Sequence, residues 1–251
     1  MPTIVVSCAG SKSGNAGSMQ DGDGRDIRFV GDPDAAPRPA DCVYARPDDL
    51  SDDGRSWRVR LREYNEQWRG SSTNPWGLLR AFELYEPKRK QYRTVYRDLV
   101  AQFGVANVFI LSAGWGLIPA DYLTPVYDIT FSMDCRIASF KRRPAGGFRD
   151  DNMLPINPPS PVCFIGGEDY RPPFVRLTEA VPVPRIVFYN SKRAPVAPGC
   201  IVRRFTPPSS KESRGWQYAC ARDLITGRLD LSIAIGKRGG GGSMRGRGGG
   251  G

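Results

Sequence analysis

Residues 108–132 read VFILSAGWGLIPADYLTPVYDITFS. The first four, Val108, Phe109, Ile110 and Leu111, are apolar and partly β-branched, the signature of a buried strand. The chain then breaks at Ser112, Ala113, Gly114, Trp115 and Gly116, a turn that small residues permit. It continues through Pro119, Ala120, Asp121 and Tyr122 and ends in Pro125, Val126, Tyr127 and Asp128. An apolar strand that stops at once in Ser, Gly and Trp marks the carboxyl edge of an α/β sheet, where ligands sit.

The flanks extend this pattern. Upstream, Thr3 to Ser7 is another apolar, β-branched run, and it turns at Cys8, Gly10, Ser11 and Lys12. A Gly/Ser loop with a lysine can cradle a phosphate. The full Gly-Lys-Ser/Thr ending of a nucleotide-hydrolysing loop is missing. Residues 15–54 are rich in Gly, Asp, Pro and Arg and predict a long loop excursion. Trp57, Leu61, Tyr64 and Trp68 recur at helical spacing, with arginines between them that form either a salt-laced surface or a phosphate-binding face. The second reading is preferred, because aromatics interleave with the arginines. Asn74-Pro75 opens a second helical region, which Pro87 interrupts and Gly104 closes. It holds the densest basic cluster, Lys88, Arg89, Lys90 and Arg93. A second cluster is Lys141, Arg142 and Arg143.

Downstream, Val162 to Ile165, Ile186 to Tyr189 and Ile201 to Phe205 predict further strands. Phe174, Leu177 and Val181 suggest a short helix, and a last helix runs to Ile225 with its start capped near Ser209. Alternating strands and helices predict an α/β fold: a mixed, mainly parallel sheet flanked by helices, in a single domain over residues 1–236. Residues 237–251, Gly-rich with arginines, predict a disordered tail or linker.

Composition narrows the chemistry. The chain of 251 residues contains no histidine, which excludes Ser-His-Asp triads, Cys-His pairs and histidine-ligated zinc. The six cysteines, Cys8, Cys42, Cys135, Cys163, Cys200 and Cys220, form no C-x-x-C pair and follow no signal peptide. They read as reduced thiols of a cytoplasmic protein that needs no metal or cofactor. No apolar run approaches membrane-spanning length. A net charge of +10 suits a polyanionic partner, most simply nucleic acid.

Four strand-end loops should gather at one rim of a parallel sheet. They bring Cys8, Ser11, Lys12, Ser112, Trp115, Glu168, Asp169, Tyr170, Asn190 and Lys192 together, with Tyr127 and Asp128 close by in the chain. Aromatic rings to stack, polar groups to read an edge and a carboxylate to activate water are what a flipped base requires. Each has a plainer role as well. Trp115 and Tyr127 fit a core, Asp128 a turn, and Glu168 and Asp169 a helix start. Ser112 has no histidine to activate it and reads as a contact.

The run strand-Ser-Ala-Gly-Trp-Gly-Leu-Ile, followed by Pro-Val-Tyr-Asp, resembles the YaaA-like proteins. Val5-Val6-Ser7-Cys8 with Lys12, and Gly166-Gly167-Glu168-Asp169-Tyr170, look like two further landmarks of that group. The likeness runs in islands from Pro2 to Asn190 and does not extend to residues 15–54 or the C-terminal helix. It implies an α/β fold that binds DNA, with bacterial relatives linked to oxidative-stress survival and distant ones acting at glycosidic bonds of modified bases. The expectation is a DNA glycosylase that excises a modified base from a duplex, in keeping with defence against phages with modified DNA. Asp128, Glu168 or Asp169 would orient water and stabilise the oxocarbenium-like sugar. Cys8, Ser11, Lys12, Ser112, Trp115, Tyr127, Tyr170 and Asn190 would contact the base. Lys88, Arg89, Lys90, Arg93, Arg142 and Lys192 would hold phosphates. The rivals are a DNA-binding stress protein without turnover and a hydrolase of free nucleosides or nucleotides.

Overall fold

The structure is a computed structural model that describes residues 1–37, 41–144 and 148–231. The expected tail, residues 237–251, lies outside the described residues. Elements follow in chain order: β1 (Thr3–Ser7), β2 (Asp26–Val30), β3 (Cys42–Ala45), α1 (Trp57–Trp68), β4 (Leu79–Arg80), α2 (Ala81–Leu84) and α3 (Val95–Phe103). Then come β5 (Val108–Ser112), β6 (Gly116–Pro119), β7 (Leu123–Thr124), β8 (Tyr127–Asp128), β9 (Asp151–Asn152) and β10 (Val162–Ile165). The chain ends in α4 (Arg171–Leu177), β11 (Arg185–Tyr189), β12 (Cys200–Arg204) and α5 (Trp216–Ile225).

The mixed, mainly parallel sheet is present, with seven strands in the order β12-β11-β10-β1-β5-β6-β9. β1 is central and runs parallel to both β5 and β10. The chain leaves β1 towards β5 on one side and later returns to β10 on the other. That reversal opens a crevice at the strands' carboxyl ends. Fully buried apolar strands supply two faces by simple alternation. Ile4 and Val6 pack with α3 and α5 residues such as Leu99 and Ala221, whereas Val5 packs with Phe164 and Phe174 of α4.

The opening stretch forms a hairpin. β5 pairs antiparallel with β6 across Ala113, Gly114 and Trp115, with Ser112 opposite Gly116. Gly116 has φ +88°, and a Cβ there would lie 2.3 Å from the Asp151 carbonyl of β9. Only glycine admits that approach.

Three expected elements are corrected. Residues 15–54 are not one loop. They hold β2 and β3, which form a second, three-stranded parallel sheet with β8 in the order β3-β2-β8. Ile27 and Phe29 alternate inward on β2 and are buried, which supplies the apolar face that the composition concealed. The first helical piece after Asn74 shrinks to the single turn of α2. Asn74 instead closes a loop, its Oδ1 accepting from the Leu78 N–H at 2.7 Å and from the Tyr64 hydroxyl at 2.6 Å. At the last helix, Ser209 makes no side-chain cap; a 3₁₀ turn precedes α5, and Gly227 at φ +71° follows it.

α1 forms as expected, with Ser56 accepting from the Val59 N–H at its start. Its arginines are not a free phosphate face. Arg58 is 4% exposed and lies 2.7 Å from Asp48 and 3.4 Å from Asp151. Arg62 pairs with Asp151, Arg69 with Asp121, and Arg55 with Asp53 and Glu63. Among the described residues no helix is long and apolar enough to cross a membrane.

Candidate functional site

A cleft of about 830 Å³ opens at the carboxyl end of the central strands. Its walls are the loop after β1 (Cys8 to Lys12), Tyr170 after β10, Asp128 to Thr130, residues 136–138 with Lys141, the Pro87-Lys88-Arg89 bend, and Arg214, Gly215, Gln217 and Tyr218 before and within α5. Of the residues expected at this rim, Cys8, Ser11, Lys12, Lys88, Arg89, Asp128 and Tyr170 line it. Asp128 is the only carboxylate among the described lining residues, facing Lys12, Lys88, Arg89, Arg136, Lys141 and Arg214.

The alternation of β8 explains the placement of two of these groups. β2 pairs with β8 in the register Phe29↔Tyr127 and Val30↔Asp128. Tyr127 therefore points inward, 1% exposed, and Asp128 outward, its side chain 41% exposed and 3.2 Å from the Lys141 ammonium.

Behind the cleft lies a buried hydroxyl and thiol network. The Tyr127 hydroxyl is 2.8 Å from that of Tyr85 and 2.9 Å from that of Ser112, and it donates to the Cys8 Sγ at 3.4 Å. Tyr85 donates to Ser112 at 3.2 Å, and Cys8 lies 3.2 Å from the Tyr170 hydroxyl. Burial pushes the phenols of Tyr85, Tyr127 and Tyr170 well above their ordinary range. They stay neutral and act as hydrogen-bonding groups rather than bases. Ser112 and Tyr127 thus support the cleft from beneath.

The Lys12 ammonium sits 4.2 Å from the centroid of the Tyr127 ring. Burial lowers its pKa, Cys8 and Asp128 raise it in part, and Lys141 lowers it further.

The remaining expected site residues lie elsewhere. Trp115 is 1% exposed, edge-on to Phe29 at 5.0 Å with the Arg58 guanidinium 5.7 Å from its ring. It plugs the core between the two sheets and cannot stack on a base. Glu168 and Asp169 are exposed in the turn leading to α4, where Glu168 faces Arg171 at 3.5 Å. Neither lines the cleft that holds Asp128. Asn190 donates to the Phe205 carbonyl at 2.8 Å and borders, with Glu168, a separate hollow of about 150 Å³. Arg142 is spent on the chain itself, donating to the Ile137 carbonyl at 2.7 and 3.1 Å. Lys90, Arg93 and Lys192 are exposed but outside the cleft wall.

Sequence reasoning missed Tyr85, Arg136, Arg214 and Tyr218, and noted Lys141 only as part of a cluster. Tyr85 reads as one more apolar position of a helix, and nothing in the chain around Arg214 marks it.

A second cleft of about 730 Å³ runs beside α1, lined by Arg62, Arg69, Asp121 and Asp151. Those four charges pair with one another within the wall. Among the described residues no group of three or more His, Cys, Asp or Glu side chains is arranged to hold a metal. All six thiols are free. A basic cleft with one carboxylate over a neutral hydroxyl floor is equipped to bind a phosphorylated ligand and to stabilise positive charge at one point. No family model matches the chain and no curated protein matches it.

Proposed function

We propose that the protein is a DNA glycosylase that removes a modified base from a duplex, as the YaaA-like resemblance implies. The observation that carries this reading is the position of Asp128, a lone carboxylate among six cations at the crevice of the sheet. A flipped nucleotide brings phosphates to the rim and its sugar to the interior. As the C1′–N bond breaks, positive charge grows on the sugar. Asp128 stabilises that charge and orients the attacking water, and Lys141 holds the carboxylate in place. Tyr170 and Tyr218 offer rings against the base. Lys88, Arg89 and Arg214 take the backbone. A cytoplasmic setting suits the six free thiols, and the selective advantage would be defence against phages that mask their DNA.

The test is incubation with duplexes carrying modified cytosines or thymines, followed by hot alkali. Strand breaks at the modified position are expected, and Asp128→Asn should slow their formation by at least ~100-fold while duplex affinity survives. Retardation of duplexes without breaks on any substrate would instead indicate a binding protein. Release of base from free nucleosides or nucleotides, without duplex affinity, would indicate the third reading.

A further inference from the structure

Hydrolysis by water leaves Lys12 without a chemical task, yet the fold holds the loop that bears it firmly. The loop after β1 is tied to the α2 segment by a bridge between Lys12 and Tyr85, by the Ser13 N–H to the Leu84 carbonyl at 2.8 Å, and by the Ser11 hydroxyl to the Glu86 carbonyl. The amine lies over the Tyr127 ring and lines the cleft beside Asp128. Among the described residues no carboxylate pairs with it, whereas Lys141 across the same cleft pairs with Asp128. Burial lowers its pKa from the ordinary 10.5, so more of it is a free amine near neutral pH than is usual for lysine. A desolvated lysine beside a carboxylate is the arrangement of an amine nucleophile for carbonyl carbon.

We infer that Lys12 is such a nucleophile and that the cleft carries a second activity, cleavage of DNA strands at abasic sites through attack on the C1′ aldehyde of the open sugar. This rests on the reading of the cleft as a DNA site, but its substrate is the sugar left after a base has gone.

The Nζ–C1′ bond forms while the carbonyl oxygen leaves as water, taking one proton from the amine and one from solvent. A protonated imine remains. Asp128 then removes a C2′ proton, the released electron pair makes the C2′=C3′ double bond, and the C3′–O bond breaks. The departing oxygen leaves on the phosphate that becomes the 5′ end of the downstream fragment. Water hydrolyses the imine, restoring Lys12 and leaving an unsaturated aldehyde on the upstream fragment. No oxidant or reductant is consumed.

The experiment uses the full chain with a duplex containing one preformed abasic site and sodium borohydride, whose hydride reduces the imine to a stable amine. The expected result is a protein–DNA adduct on a denaturing gel, with the sugar remnant mapped by peptide mass to Lys12. Lys12→Arg should lower the adduct by at least ~10-fold with its thermal melt still cooperative. Absence of an adduct, or an adduct mapped to another amine, overturns the inference without recourse to any variant. Because the abasic site is supplied ready-made, the outcome is separate from base release. Excision of a modified base with no trapped adduct sinks Lys12 alone, and a Lys12 adduct with no excision on any modified duplex sinks only the glycosylase reading.

Discussion

At the scale of single residues, the cleft works by keeping most of its floor neutral and one of its cations poorly solvated. The buried phenols of Tyr85 and Tyr127 satisfy one another with Ser112, so they cost the fold little and offer no charge. Lys12 is different, because its ammonium gives up water without gaining an ion pair. The sign of the consequence follows from linkage. The folded pKa lies below the unfolded value of 10.5, so between the two the unfolded chain binds more protons, and stability rises as pH rises through that window. Below the window the charged lysine is a standing cost. Lys12→Met keeps the packing stem and removes the charge. It should therefore melt at a higher temperature than the native chain at neutral pH and lose that lysine's share of the rise in stability towards alkaline pH. Calorimetry at several pH values checks this, and a variant that melts lower at neutral pH would mean that the charge is stabilising.

At the scale of elements, the second sheet is what aims Asp128, and its chain continues into the wall of the cleft. Just after β2, a Cβ on Gly31 would lie 2.1 Å from the Arg142 carbonyl, and the Asp32 N–H bonds the Phe140 carbonyl at 2.9 Å. The segment bearing Lys141 is thus seated on the end of β2. Gly31→Ala should displace it, costing about 1–3 kcal/mol in urea denaturation and slowing base release through the lost Lys141–Asp128 contact. Gly14→Ala, where a Cβ meets open space, should change stability by no more than about 0.5 kcal/mol. If the two variants behave alike, β2 does not position the wall. The sequence conceals this linkage for a physical reason. The run Asp26 to Val30 carries its alternation over only five residues between Gly- and Asp-rich turns, too short for periodicity to outweigh composition. The same limit misplaced Trp115, since its partner Phe29 lay in a stretch taken for loop. α1 was legible because Ser56 and the spacing of Trp57, Leu61 and Tyr64 are local signals. The burial of Arg58 was not, because Asp151 stands 93 residues away. The core strands β1, β5, β10 and β11 announce themselves as apolar runs, and their order places Cys8, Lys12 and Tyr170 together. Asp128 joins them only through pairing with β2.

At the scale of the whole molecule, the net charge of +10 overstates what a ligand can use. Much of the arginine on and beside α1 is neutralised in place by Asp48, Asp53, Asp121 and Asp151. The excess that matters is local: six cations line one cleft with Asp128, of which Arg136 already serves Asp134 and Lys141 serves Asp128. At physiological ionic strength, charges beyond about 8 Å from a phosphate are largely screened, so the cleft rather than the total charge should govern affinity. Each phosphate contact contributes about −0.9 to the slope of log affinity against log salt on duplex DNA. Engagement of three to five of these cations therefore predicts a slope of about −3 to −5 in fluorescence anisotropy between roughly 50 and 200 mM salt. Lys88→Gln and Arg214→Gln should each bring the slope nearer zero by about one. Arg55→Gln should leave it unchanged, because that guanidinium already serves Asp53 and Glu63. A slope that responds equally to all three would make binding a property of the overall charge and would remove the cleft as the place where DNA is held. A slope near zero would exclude phosphate contact altogether, and with it the duplex as the substrate on which Asp128 and Lys12 are proposed to act.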